Sequence, residues 1–183
     1  MSKKAIIIFA EGFEEIEAVT PADILNRAGV TVELVGLDAM EVTGAHGVSF
    51  KMNRVLKETE DVDAVILPGG LPGATNLAAS EKLGGILKAQ MESGKIVAAI
   101  CASPGEVLAK YGITNGKRAT CYPGWEEKFS PDTTYLTESV VKDGNLITSR
   151  GPGTAFAFGL ALACELAGRE TAETLAQQML YHS

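Results

Sequence analysis

Five short apolar runs rich in β-branched residues recur along the chain, at residues 5–9, 31–35, 64–67, 96–100 and 146–149. Continuous rather than alternating hydrophobicity marks strands covered on both faces, as in a parallel sheet. Helix-period segments separate most of these runs. The pattern therefore predicts an α/β fold, a doubly wound and mostly parallel sheet with helices on both faces.

Residues 14–28 predict the first helix, with Ile16, Val19, Ile24 and Leu25 turned inward, an interruption or restart near Pro21, and a stop at Gly29. Residues 40–51, where Gly44 and Gly47 separate short apolar stretches, predict a small hairpin outside the alternation. Lys142-Asp143-Gly144-Asn145 predicts a second hairpin with an Asp-Gly turn. Residues 153–167 are almost uniformly apolar and small, which predicts a helix buried on most sides. With no linker, repeat or composition break, residues 1–183 read as one domain.

In an open parallel sheet the ligand crevice lies beyond the carboxyl ends of the strands, so the residues just after each run carry the candidate chemistry. After the first run, Glu11-Gly12-Phe13-Glu14-Glu15-Ile16-Glu17 crowds acids into the first turns of a helix. Glu14 and Glu15 read as partners of the helix dipole. Glu17, between Ile16 and Val19, reads as a buried acid with a raised pKa. After the third run, Leu67-Pro68-Gly69-Gly70-Leu71-Pro72-Gly73 lets backbone N–H groups converge on an anion. It lacks the Lys-Ser/Thr ending of a phosphate loop and the spacing of a dinucleotide fingerprint, so an oxyanion-binding backbone is expected there.

After the fourth run the chain passes at once into Cys101-Ala102-Ser103-Pro104-Gly105-Glu106. Strand, cysteine and immediate helix, with Pro104 in its first turn, predict a nucleophile exposed on a strained bend. The positive end of the helix is expected to lower the thiol's pKa. The competing reading is simple packing, since cysteine is among the most buried residues. Cys121, ending the strand-like residues 117–121, is a candidate resolving thiol, whereas Cys164, amid Leu162, Ala163 and Leu166, is expected in the core.

Composition narrows the partners. The three cysteines, 20 and 43 residues apart, form neither a disulfide framework nor a zinc pattern, so free thiols in a reducing compartment are expected. The two histidines, His46 and His182, are isolated; no metal site shows ligand spacing, and neither histidine adjoins Cys101 in sequence. A net charge of -7 opposes nucleic acid and anionic membranes. No apolar run approaches the ~18 residues of a span and the N-terminus offers no signal-peptide core, so a cytoplasmic location is expected.

Six motifs in order carry a family resemblance over essentially the whole chain. They are Glu11-Gly12-Phe13-Glu14-Glu15-Ile16-Glu17, Pro21-Ala22-Asp23, Arg27-Ala28-Gly29, Leu67-Pro68-Gly69-Gly70, Ala99-Ile100-Cys101-Ala102-Ser103-Pro104 and Thr148-Ser149-Arg150-Gly151-Pro152-Gly153-Thr154. The sequence resembles the DJ-one (ThiJ/PfpI) superfamily, in the branch of the human parkinsonism-associated protein and its bacterial relatives. The resemblance implies a flavodoxin-like fold, a homodimer, Cys101 as nucleophile and a protonated Glu17 hydrogen-bonded to its sulfur. It implies an oxyanion site at the Gly69, Gly70 and Ala102 amides and places Arg27 near the site at the dimer interface. No cofactor or metal is implied.

The activities it implies are glutathione-independent glyoxalase, deglycation of methylglyoxal-modified protein or nucleotide, and redox-sensing chaperone. The chain departs from the family pattern at Tyr122, where many relatives have histidine, at His46, where they have arginine, and at Ser103, commonly glycine. Tyr122 and His46 are thus expected as pocket residues of altered chemistry. The leading expectation is an enzyme acting on small α-oxoaldehydes or their adducts through a Cys101–Glu17 pair. A redox sensor or chaperone comes second, and a cysteine peptidase or amidotransferase-like hydrolase last, because Cys101 has no obvious histidine base.

Overall fold

The computed structural model describes residues 2–181, so His182 lies outside the described residues. In chain order the first elements are β1 (Lys4–Phe9), α1 (Glu15–Arg27), β2 (Thr31–Gly36), β3 (Glu41–Thr43), β4 (Ser49–Lys51), β5 (Arg54–Val55) and β6 (Ala64–Leu67). They are followed by α2 (Gly73–Ala79), α3 (Glu81–Glu92), β7 (Ile96–Ile100), β8 (Arg118–Ala119), β9 (Thr134–Tyr135), β10 (Val140–Asp143), β11 (Leu146–Ser149), α4 (Ala155–Ala167) and α5 (Arg169–Gln178).

Seven strands form the central sheet in the order β10-β11-β7-β6-β1-β2-β5. All neighbours are parallel except β10 against β11. Residue alternation along the buried strands sorts the side chains into two layers. Ala5, Ile7 and Phe9 of β1, with Ala98 and Ile100 of β7, pack beneath α1 and α4 against Ile24, Leu25, Phe158 and Leu162. Ile6 and Ile8, with Val97 and Ala99, face Leu77, Leu83 and Leu87 of α2 and α3. The expected α/β sheet, wound on both faces, is what the chain forms. Its order reverses between β1 and β6, which opens a crevice at their carboxyl ends.

The two expected hairpins form, β3 with β4 and β10 with β11, both antiparallel. The short β8–β9 pair is parallel and was not foreseen.

Three expectations about helices are corrected. First, α1 runs unbroken through Pro21 and turns Ile16 and Val19 outward, 54% and 40% exposed. Its buried stripe is Glu17, Ala18, Pro21, Ala22, Ile24 and Leu25, because Glu17 and Ala18 lie two turns before Ile24 and Leu25 on the same side. Second, α4 is buried along one side only. Phe158, Gly159, Leu162, Ala163 and Leu166 face inward, while Phe156, Leu160, Ala161 and Cys164 are half-buried, so Cys164 is not a core residue. Third, the helix expected after Cys101 is a single π-type turn at Pro104–Leu108, with the Ala109 N–H donating to the Pro104 carbonyl at 3.0 Å. Among the described residues no helix is long and apolar enough to cross a membrane.

Candidate active site

Three sheet-edge junctions converge at the crevice: the start of α1 after β1, the glycine loop after β6 and the turn after β7. Cys101 holds φ +65, the left-handed region that costs a side-chain-bearing residue roughly 1–2 kcal/mol. The surroundings enforce it. The Cys101 N–H donates to the Ser149 carbonyl at 3.0 Å, and the Cys101 carbonyl accepts the Tyr122 N–H at 2.8 Å. Two residues on, the buried Ser103 hydroxyl donates to the Pro68 carbonyl at 2.5 Å, tying the cysteine turn to the glycine loop.

Glu17 is fully buried in the first turn of α1. Glu14 caps that helix, its Oε2 accepting the Glu17 N–H at 2.8 Å, and is itself buried. Burial pushes the Glu17 carboxyl up to about 7, helped by the charge of Glu14 and opposed by hydrogen bonds from the Cys101 thiol and the Gly69 N–H. Its Oε1 meets no N–H or O–H donor among the described residues. The raised pKa expected from sequence is present.

The thiol differs from expectation. Burial first, then the charge and hydrogen bond of Glu17, push Cys101 up to about 12, against the pull of the Gly70 and Ala102 amides. The end of one short π turn does not overcome a buried carboxylate at hydrogen-bond range. The sulfur and the carboxyl group therefore titrate as one coupled pair that shares a proton.

The glycine loop also divides its labour. Gly69 is not an oxyanion donor, because its N–H is spent on Glu17 Oε2 at 2.8 Å. A β-carbon on Gly69 would stand 2.6 Å from Cys101 Cβ and 2.7 Å from Glu17 Oε2, so Gly69 lies between the pair. Gly70, at φ +87, and Ala102 turn their amides to the sulfur. A side chain at Gly70 would strike the Phe13 and Glu14 backbone at 2.4–2.7 Å.

The pocket residues part company. Tyr122 is beside Cys101 through its amide, its ring half-exposed over Gly151. Arg27 is not in the site of its own chain. It pairs with Asp23 at 2.7 Å on the exposed end of α1, about 15 Å along the helix from Glu17. His46 sits on the hairpin rim, its Nδ1 2.8 Å from Glu15 Oε2 and its backbone N–H on Glu15 Oε1. Glu15 is therefore more than a dipole partner: against the upward push of burial, the His46 side chain and backbone N–H hold its carboxyl below the usual range. His46 is not isolated once the chain folds. Cys121 is fully buried, and it and Cys101 are both free thiols.

Sequence reasoning missed the bond from Ser103 to the glycine loop, the Ser149 carbonyl and the capping role of Glu14. The partners of the first two lie 35 and 48 residues away, and no local signal announces them. The Glu14 cap was legible as an acid three residues before Glu17 at a helix start.

Comparison with known proteins agrees with this geometry. Residues 3–165 match the family described as DJ-1/PfpI. Protein dj-1beta of Drosophila melanogaster is 43% identical over 184 residues, covering 98% of each chain. The Glutathione-independent glyoxalase DJR-1.2 of Caenorhabditis elegans is 37% identical over 177 residues, covering 94% of each. The crystal structure of Drosophila melanogaster DJ-1beta superposes with a TM-score of 0.95 at 41% identity over the full length of both chains. The chain thus belongs to the DJ-1/PfpI family, with its flavodoxin-like fold.

Proposed function

We propose that this chain is a cysteine-dependent, glutathione-independent glyoxalase acting on methylglyoxal, glyoxal or their adducts. One observation carries the reading: a strained cysteine whose thiol shares a proton with a buried carboxyl group and whose sulfur faces two free amides. The glyoxalase activity named for the nematode relative supports it.

The chemistry follows from the pair. As Cys101 Sγ bonds to the aldehyde carbon, the thiol proton passes to the Glu17 carboxylate, and the Gly70 and Ala102 N–H groups bind the new oxyanion. Glu17 next returns that proton to the oxyanion and, again a carboxylate, takes the hemithioacetal C–H proton and delivers it to the neighbouring carbonyl carbon, while the hydroxyl proton moves to the neighbouring oxygen, leaving a 2-hydroxy thioester on Cys101. Water hydrolyses the thioester, releasing the 2-hydroxy acid and the thiol. The sum is α-oxoaldehyde plus water to 2-hydroxy acid, with no external oxidant.

The test is turnover of methylglyoxal without glutathione. Wild type is expected to be active, Cys101→Ala to lose activity about a thousandfold or more, and Glu17→Gln about a hundredfold or more. Unchanged turnover in Cys101→Ala defeats the reading.

A second reading, a redox sensor, is favoured by the same two amides, which would hold the oxygens of a sulfinate formed by peroxide. A gain of two oxygens on Cys101, with no turnover of methylglyoxal, would establish it instead. The proposal also includes a homodimer, since Ile16 and Val19 are exposed on α1. Light scattering at twice the monomer mass checks this.

A further inference from the structure

Three backbone N–H groups point at the Cys101–Glu17 pair. The Gly69 N–H donates to Glu17 Oε2 at 2.8 Å, and the Gly70 and Ala102 N–H groups donate to the Cys101 sulfur. The C=O and N–H of one trans peptide unit point in opposite directions. The carbonyls of these three units, those of Pro68, Gly69 and Cys101, therefore face away from the pair.

All three carbonyls accept a hydrogen bond from behind. The Ser103 hydroxyl donates to the Pro68 carbonyl at 2.5 Å. The Glu14 N–H donates to the Gly69 carbonyl at 2.9 Å, and the Tyr122 N–H to the Cys101 carbonyl at 2.8 Å. None of the three belongs to a helix or a sheet ladder. Their donors come from three segments: the turn after β7, the start of α1 and the loop after β8.

Two of these bonds are made at the expense of the ordinary alternative. Ser103 stands at the head of the π turn, where a serine usually caps the helix, yet its fully buried hydroxyl makes no cap and reaches the glycine loop instead. Glu14 N–H can reach the Gly69 carbonyl only because residue 70 is glycine, since a β-carbon there would stand 2.4 Å from the Glu14 nitrogen.

An amide whose carbonyl accepts a hydrogen bond is fixed in direction and is also a stronger donor, because linked hydrogen bonds polarise one another by roughly 10–30% per bond. Away from water, a donor already aimed at developing charge needs no reorganisation when the charge appears. We infer, on the reading of Cys101 and Glu17 as the reacting pair, that the Ser103 hydroxyl and the Glu14 and Tyr122 main-chain N–H groups are positioning groups that aim and polarise the three amides. Ser103 thus serves Glu17 through Gly69. Glu14 and Tyr122 serve the sulfur and the oxyanion through Gly70 and Ala102, and for Tyr122 this role needs no particular side chain.

The experiment uses the full chain in two altered forms, Ser103→Ala and a chain in which Tyr122 is replaced by its α-hydroxy acid, so that an ester oxygen takes the place of the N–H and the ring stays. In Ser103→Ala the titration midpoint of Glu17, followed by its carboxyl ¹³C resonance and assigned by its absence in Glu17→Gln, is expected to rise by about half a pH unit. A merely loosened turn would admit water and lower that midpoint instead. In the ester, alkylation of Cys101 by iodoacetamide at pH 7, read by peptide mass mapping, is expected to slow about threefold. A loosened turn would expose the thiol and speed the labelling. Turnover of methylglyoxal is expected to fall about tenfold in kcat in both forms, with KM changed less than about twofold. A Glu17 midpoint that stays or falls, or alkylation that is unchanged or faster, overturns the inference. The two forms alter separate peptide units, so failure of one to fold leaves the other decisive. Absence of methylglyoxal turnover in wild type would defeat the glyoxalase reading alone, and the titration and labelling would still decide the positioning role.

Discussion

Cys101 and Cys121 meet across one hydrogen bond, from the Tyr122 N–H to the Cys101 carbonyl, yet their surroundings share little. Burial lifts both thiols to about 12, and in both a nearby glutamate adds to the effect. The difference is what each acid can do. Glu17 hydrogen-bonds the Cys101 thiol and is itself lifted to about 7, so it can exchange a proton with the sulfur near neutrality. Glu126 acts on Cys121 only through its charge, which Arg150 offsets. Cys101 also has two amides and a left-handed backbone that presents it to the crevice, whereas Cys121 is fully buried. A raised thiol pKa thus does not separate an inert cysteine from a reactive one. A matched proton acceptor and a way in do.

The strongest way to break this comparison is to exchange the roles by mutation. Cys121→Ala is expected to leave methylglyoxal turnover unchanged beside the roughly thousandfold loss in Cys101→Ala. In the folded wild type a small alkylating reagent should label Cys101 and the half-buried Cys164 and spare Cys121, as read by peptide mass mapping. Equal turnover losses at both cysteines would make the two regions one site.

The sequence allowed much of this to be read because parallel strands buried on both faces announce themselves as apolar runs: residues 64–67, 96–100 and 146–149 are strands with those bounds. Cys101 and Glu17 were legible for a related reason, each a polar group set against an apolar element. The outward turn of Ile16 and Val19 was not, since which side of α1 is buried depends on packing against α4, 140 residues away in sequence. Nor was the fate of the Gly69 amide, which depends on the rotamer of Glu17. His46 looked isolated because its partner Glu15 lies 31 residues earlier and meets it only when the hairpin folds over the helix start.

A smaller effect tests whether Glu17 is held at a cost for the sake of Cys101. Its folded pKa, about 7, exceeds the ordinary 4.5, so the folded state binds more protons between those values and stability falls as pH rises through the window. The deficit is absent below pH 4.5 and complete above pH 7, where 2.5 units correspond to about 3 kcal/mol. Glu17→Gln removes the titration while keeping an oxygen for the Gly69 N–H. The variant is therefore expected to be inactive, yet more stable than wild type in urea by up to about 3 kcal/mol at pH 8, and equal to it near pH 4. A stability difference that does not change between those pH values would show that the carboxyl group is not strained by burial.

The smallest effect compares two buried hydroxyls, one beside each cysteine. Ser103 Oγ donates to the Pro68 carbonyl and so secures the Cys101 turn to the glycine loop. Thr120 Oγ1, next to Cys121, is equally buried but has no partner among the described residues. Removing the first leaves a buried carbonyl without its donor, so Ser103→Ala is expected to cost about 1–2 kcal/mol and to reduce turnover by loosening the Gly70 amide. Removing the second takes away a hydroxyl that was desolvated for nothing. Thr120→Val, of nearly the same shape, should be neutral or stabilising by about 1 kcal/mol, with turnover unchanged. Denaturant midpoints of the two variants should therefore move in opposite directions or, at the least, unequally. Equal losses would mean that the Cys121 region is built as tightly as the cysteine turn, and that its thiol is silent for want of access alone.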